Sequence, residues 1–199
     1  MAETPFTLDP RRTALLVMDY QRGITDSLDD AEALLDRAAD VVKLVRDLGG
    51  RIGYVRVGFT DDEFDAVPAT STFAQHVGSE RRQYLHADAP TTAVHDRVAP
   101  QPGDIAVRKT RVGAFSTTDL DRQLRAVGID TLVLAGISTS GVVLSTVREA
   151  ADRDYRIVVL ADACADRETA VHEFLTERIF PRQAHVTSTG ELAALLSTD

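Results

Sequence analysis

The stretch Thr131–Ala150, TLVLAGISTSGVVLSTVREA, constrains the fold of this 199-residue chain most strongly. It opens with a continuous apolar run, Thr131–Ala135, which is typical of a strand buried in a parallel sheet. Gly136–Ser140 predicts a tight turn, and a helix is expected to begin near Thr139 or Ser140. A strand that leads directly into a helix points backbone N–H groups and the positive end of the helix dipole at a crevice. That environment suits a carboxylate or a developing oxyanion, so we expect the functional site at this turn.

Five further strands are predicted along the chain, and helical patterns alternate with them. The strands are Thr13–Met18, Arg51–Val57, Asp104–Arg108, Arg156–Ala161 and Ala184–Thr187. The helices are Asp29–Leu48, Thr118–Val127, the helix after Thr139, Arg167–Phe180, and a closing helix opened by the capping box Ser188-x-x-Glu191. This alternation predicts an α/β fold, a doubly wound three-layer sandwich with a six-stranded parallel sheet and helices on both faces. In Arg167–Phe180, the side chains of Val171, Phe174, Leu175 and Ile179 are expected to face inward.

Segment 58–103 has weak periodicity and is punctuated by proline and glycine. Loops of this length are uncommon in compact domains unless they are functional, so we expect short helices with a flap over the site or a subunit contact. No repeat or linker divides the chain, and residues 1–199 are therefore interpreted as one domain.

Composition narrows the function classes. The formal charge is -9 and no Lys/Arg cluster is present, which argues against a nucleic-acid partner. No apolar run approaches the roughly 20 residues that span a bilayer, and the first residues lack a signal-peptide core, so we expect no membrane association and a cytoplasmic location.

The single cysteine, Cys164, and histidines without HxH or HExxH spacing predict no metal site. Neither GxGxxG nor GxxxxGK[ST] occurs, and we expect no cofactor.

Candidate site residues follow the predicted strands. Asp19 comes after the first strand, Lys109 after the third, and the 137–142 turn after the fourth. In sheets of this class ligands bind beyond the carboxyl ends of the strands, so an acid, a cation and a helix N-terminus are expected to face one crevice. Gln21 and Phe115 are further candidates for lining the pocket. Ser138 and Thr139 suit helix capping, which is the default role of such residues.

These motifs, LLVMDYQRG, PGDIAVRKTRVGAF and the strand–turn–helix stretch, resemble those of the isochorismatase-like hydrolase superfamily, or cysteine hydrolases, which includes nicotinamidases and isochorismatases. The resemblance implies that Asp19 is the general acid/base and Lys109 its partner. It also implies a cis peptide at Ile137-Ser138. The turn that holds Ser138, Thr139, Gly141 and Val142 would contact the substrate or an oxyanion, with the backbone N–H groups of Ser138 and Val142 as donors. Finally, the resemblance implies assembly as a homodimer or homotetramer.

One position departs from the amidase branch of that family. There the turn reads G-x-x-T-x-x-C-V with cysteine as the nucleophile, whereas here Val142 occupies the cysteine position. A valine side chain cannot attack a carbonyl, and Cys164 follows a different strand. Members that hydrolyse isochorismate also lack the cysteine. The leading hypothesis is therefore hydrolysis of a small, carboxylate-bearing molecule by Asp19 and Lys109, as in isochorismate-type vinyl ether hydrolysis. Two alternatives stay open: an amide or imide hydrolase that uses activated water, and an inactive small-molecule-binding protein.

Overall fold

The six predicted strands lie side by side in one parallel sheet in the computed structural model, which describes residues 6–78 and 81–196. They are β1 Thr13–Met18, β2 Arg51–Val57, β3 Ile105–Lys109, β4 Thr131–Ile137, β5 Arg156–Ala165 and β6 His185–Thr187. The spatial order is β3-β2-β1-β4-β5-β6, the doubly wound arrangement that the alternation of strands and helices predicts. The strand order reverses between β1 and β4, and ligands in such sheets bind beyond the carboxyl ends at this point.

Helices cover both faces of the sheet, so the three-layer architecture is confirmed. Helices α1 (Ala31–Asp47) and α5 (Thr189–Leu195) pack on one face, and α2 (Leu120–Ala126) and α3 (Leu144–Asp152) pack on the other. The buried residues of β1 alternate between the two layers, since Leu15 and Val17 face α1 while Leu16 and Met18 face α3. This two-sided burial is the physical reason for the continuous apolar run in the sequence.

The helix predicted over Arg167–Phe180 is not one regular helix. A regular helix, α4, covers only Thr169–Phe174, and a π-helical turn, Leu175–Ile179, follows it. The prediction that Phe174 faces inward is wrong, because its side chain is 57% exposed while the neighbouring Leu175 is buried. Adjacent residues point about 100° apart around a helix, so both cannot sit at the centre of one buried face.

Segment 58–103 forms a side wall of the site. Short helices occupy it at Asp61–Asp65, Thr72–His76, Arg82–Leu85, Pro90–Thr92 and Asp96–Val98. Its own small core is built on Phe59, Phe64 and Val77, and the Glu63 carboxylate binds Arg108 of β3 at 2.6 Å. No helix among the described residues has the length and apolar character needed to cross a bilayer.

A pair of valines tests how much the sheet core stabilises this fold. Val133 on β4 is fully buried, whereas Val127 after α2 is 43% exposed. We expect Val133→Ala to lower the free energy of unfolding by about 2 kcal/mol, because it removes apolar contacts and leaves a cavity. Val127→Ala should change it by less than about 0.5 kcal/mol. Urea unfolding followed by circular dichroism measures both, and equal effects would contradict the layer assignment.

Candidate active site

A cavity of about 740 Å³ lies at the carboxyl ends of β1, β3 and β4. Its floor carries Asp19 and Lys109, and the turn after β4 forms one wall with Ser138, Gly141 and Val142. The side wall comes from segment 58–103 and is largely apolar or aromatic, with Phe73, Val77, Tyr84 and Leu85. The cavity therefore joins an ionisable floor to an apolar wall, a combination typical of small-molecule sites.

Asp19 and Lys109 form a buried ion pair on the cavity floor. Asp19 follows β1 directly and has a left-handed backbone (φ 59°), and its N–H donates to the Val55 carbonyl of β2. Lys109 is the last residue of β3, two strands away in the sheet, and its side chain spans the end of β2. Lys109 Nζ lies 2.8 Å from Asp19 Oδ2, and the two side chains are only 3% and 7% exposed. Asp and Lys are rarely buried to this degree unless they are paired.

The two partners differ in how many hydrogen bonds they make. Besides Asp19, the Lys109 ammonium donates to the carbonyls of Arg111 (3.3 Å) and Val112 (2.9 Å), which uses all three of its donors. Asp19 Oδ1 is buried and has no hydrogen-bond partner among the described residues. Burial raises the pKa of the Asp19 carboxyl, and the Lys109 charge opposes that rise. Oδ1 is thus the atom left to exchange a proton with a ligand.

The turn after β4 is built on an irregular backbone. The Ile137-Ser138 peptide is cis, and the helix that follows opens with a π-helical turn, Thr139–Val143, in which the Val143 N–H donates to the Ser138 carbonyl. Gly141 lies close to Ser138, since a Cβ at position 141 would lie 2.7 Å from Ser138 Oγ and the serine side chain would have to move. The buried Val142 side chain lines the cavity beside the ion pair.

Two side-chain contacts hold this turn in place, one at the edge of the cavity and one outside it. The Ser140 N–H donates to the Asp166 carboxylate at 2.7 Å. Burial acts to raise the pKa of Asp166, but this bond and others to the same carboxylate keep it below its usual value. Thr139 is fully buried, and its Oγ1 lies 2.8 Å from His172 Nδ1 of α4. Thr139 therefore anchors the turn to α4 and does not line the cavity.

Gln21 and Phe115, expected in the pocket lining, lie elsewhere. The Gln21 carboxamide forms its hydrogen bonds with backbone groups. Its oxygen accepts from the Val57 N–H, and its nitrogen donates to the carbonyls of Val57 and Thr92. Phe115 is buried in the core, with its ring 6.0 Å from that of Tyr155. The structure thus brings together Asp19, Lys109, Ser138, Gly141 and Val142. Sequence reasoning offered segment 58–103 as a flap over the site but named none of its lining residues, and it missed Arg111, which stands only two residues after Lys109.

Cys164 lies away from the cavity, on β5. Its Sγ is 3.9 Å from the Leu134 carbonyl, and the residue is buried in the core and is not part of the cavity lining. Burial raises the pKa of its thiol to about 12, which leaves almost no thiolate at neutral pH. Within residues 6–78 and 81–196, no three His, Cys, Asp or Glu side chains are grouped so as to hold a metal ion.

The burial of Cys164 predicts a thiol that is inert in the folded protein. Iodoacetamide at pH 7.5 should label it at least about 100-fold more slowly in the folded state than in urea, because the reactive thiolate is scarce and access is blocked. Intact-mass spectrometry over time measures the labelling, and the urea-unfolded chain is the control. Fast stoichiometric labelling of the folded protein would contradict this placement.

Comparison with known proteins identifies the family. The family model described as Isochorismatase domain matches residues 13–191. The uncharacterized isochorismatase family protein YwoC of Bacillus subtilis is 36% identical over 92% of this chain and 94% of its own length. The ureidoacrylate amidohydrolase RutB of Methylorubrum extorquens is 34% identical, over 80% of this chain and 72% of its own length. The solved structure of an isochorismatase family protein from Burkholderia thailandensis superimposes with a TM-score of 0.83 at 30% identity, covering 98% of this chain and 100% of that one. The chain belongs to the isochorismatase family and is a hydrolase of that family.

Proposed function

We propose that this hydrolase cleaves a small, carboxylate-bearing vinyl ether of the isochorismate type, by proton transfer from Asp19 and without a covalent thioester. The observation that carries the proposal is the side chain at position 142. Val142 lines the cavity beside Asp19 and Lys109, in the sequence register where the amidase branch has its cysteine. An isopropyl group offers no electron pair, so the covalent route is closed from this position. The chain's only thiol is buried on β5, outside the cavity.

A vinyl ether needs an acid and water, and it needs no nucleophilic side chain. The Asp19 carboxyl would transfer its proton to the terminal carbon of the double bond, and the ether oxygen would stabilise the resulting oxocarbenium ion. Water then adds to the cation and releases a proton to the Asp19 carboxylate, and the hemiketal collapses to an α-keto acid and an alcohol. A carboxyl whose pKa is raised by burial suits the acid step, and Lys109 stabilises the carboxylate left after it.

A second candidate is hydrolysis of an amide or imide by water that Asp19 activates as a base. The similarity to ureidoacrylate amidohydrolase RutB favours this candidate. Here the unpaired Asp19 Oδ1 would accept a proton from water, and the turn that holds Ser138 and Val142 would stabilise the oxyanion. The two candidates require opposite protonation states of the same carboxyl group.

The third candidate is a catalytically inactive small-molecule-binding protein. The retained ion pair argues against it, because burying a carboxylate and an ammonium costs several kcal/mol of desolvation that a neutral pocket would avoid. A binder has no evident need for both charges on the cavity floor. Absence of any turnover with both vinyl ethers and small amides would favour this third candidate.

Asp19→Asn tests the proton-transfer role. We expect turnover of isochorismate to fall by about 10²–10⁴-fold, the usual contribution of a general acid or base, because the amide keeps the shape of the side chain and lacks the acidic proton. The steady-state rate of α-keto acid release measures it, with circular dichroism as the check on folding. Cys164→Ala is the control and should keep turnover within about threefold. An active Asp19→Asn enzyme would refute the mechanism.

The pH profile of the same reaction separates the first two candidates. As a general acid, Asp19 must be protonated, so kcat/KM should be highest at low pH and fall as pH rises through its raised pKa. As a general base, it must be ionised, and kcat/KM should rise through the same pKa. A profile with a rising acidic limb for isochorismate would exclude the acid role.

Val142→Cys tests whether the missing thiol defines the chemistry. The variant places a thiol between the ion pair and the helix N-terminus, where Lys109 and Asp19 can activate it. We expect no gain in isochorismate turnover and the appearance of slow hydrolysis of small amides such as maleamate, blocked by iodoacetamide. Val142→Ala controls for the change in volume. A large gain on isochorismate in Val142→Cys alone would contradict the proposal that this reaction needs no nucleophilic side chain.

A further inference from the structure

We propose that the Arg111 guanidinium binds the carboxylate of the substrate, so that the cavity selects small anions over neutral molecules of the same shape. The inference rests on the proposed function only in taking a carboxylate-bearing substrate, and it adds the residue that would recognise that group. Arg111 lines the cavity and is partly buried.

The backbone of Arg111 is fixed to the ion pair. Lys109 Nζ donates to the carbonyl of Arg111 and to that of Val112, so the ammonium that binds Asp19 also holds the segment from which the arginine side chain extends. An anion on Arg111 would therefore lie in the same cavity as the Asp19 carboxyl, at a position set by that segment.

The Arg111 side chain makes contacts that leave most of its donors without a partner among residues 6–78 and 81–196. Its Nη1 donates to the Thr110 carbonyl at 2.6 Å, and the guanidinium carbon lies 5.8 Å from the centroid of the Phe73 ring. A guanidinium placed over an aromatic ring can still present an edge to a ligand, and that edge matches a carboxylate in two parallel hydrogen bonds. Among the described residues no carboxylate pairs with Arg111, whereas Arg108 in the preceding strand binds Glu63.

The other charges of the cavity are compensated or solvated. Asp19 and Lys109 neutralise one another, and the Asp166 carboxylate accepts the Ser140 N–H. Arg81, Arg167 and Glu168 are exposed at the rim. Arg111 is thus the partly buried cation without a described carboxylate partner, and the apolar wall beside it suits the hydrocarbon part of a small acid.

Binding of benzoate and benzamide tests the inference independently of catalysis. The two probes have nearly the same shape, and only benzoate carries a carboxylate. By isothermal titration calorimetry, the wild-type protein should bind benzoate more tightly than benzamide. Arg111→Gln should weaken benzoate about 10–100-fold, the value of a bidentate charge-assisted contact, and change benzamide by less than about threefold. Arg111→Lys should give an intermediate benzoate affinity, because it keeps the charge and loses the planar fork.

Arg167→Gln is the matched control, since it removes one positive charge from the exposed rim and should change benzoate affinity by less than about threefold. Three results would overturn the inference: no benzoate binding to the wild-type protein at millimolar concentration, equal losses in Arg111→Gln and Arg167→Gln, or equal losses for benzoate and benzamide. The last would mean that Arg111 only shapes the wall through Phe73. Failure of the proposed function would look different: benzoate binding would still depend on Arg111, while isochorismate would show no Asp19-dependent turnover.

Discussion

The ion pair between Asp19 and Lys109 sets the requirements that the rest of the site meets. Taking a carboxylate and an ammonium out of water is costly, and it is tolerated only where hydrogen bonds replace the lost hydration. Lys109 satisfies this condition completely, through Asp19 and two backbone carbonyls. Asp19 satisfies it only in part, because Oδ1 has no partner among the described residues. The uncompensated half of the pair is therefore the half to which we assign proton transfer.

The sheet supplies this geometry through its strand order. Because β2 lies between β1 and β3, the acid and the ammonium come from strands that are not neighbours, and a long lysine side chain is needed to span the gap. The neighbour of β1 on the other side is β4, and the two are paired up to Met18 and Gly136, so the turn that carries Val142 begins beside Asp19. The site thus depends on the register of β1, β3 and β4. A shift of any one of these strands would move Asp19, Lys109 and the turn after β4 apart.

The parts of the site that were predictable are those fixed by strand ends. Buried parallel strands appear as apolar runs, their carboxyl ends share one edge, and Asp19, Lys109 and the 137–142 turn follow three of them. The orientation of individual side chains was not predictable in this way. Gln21 follows the left-handed Asp19 and bonds to the backbone of Val57, and Thr139 opens the π-helical turn and bonds to His172. The wall from segment 58–103 depends on its own small core around Phe59, which has no regular period to detect.

The proposed anion site and the proposed acid would reinforce one another. In the free protein, burial favours the neutral form of Asp19, while the Lys109 charge favours the ionised form. A carboxylate bound to Arg111 would cancel the guanidinium charge, and it would displace water and so lower the local dielectric. Each of these changes favours the protonated carboxyl. Binding of the anionic substrate would thereby raise the fraction of Asp19 that carries the proton to be transferred, and a neutral molecule of the same shape would not.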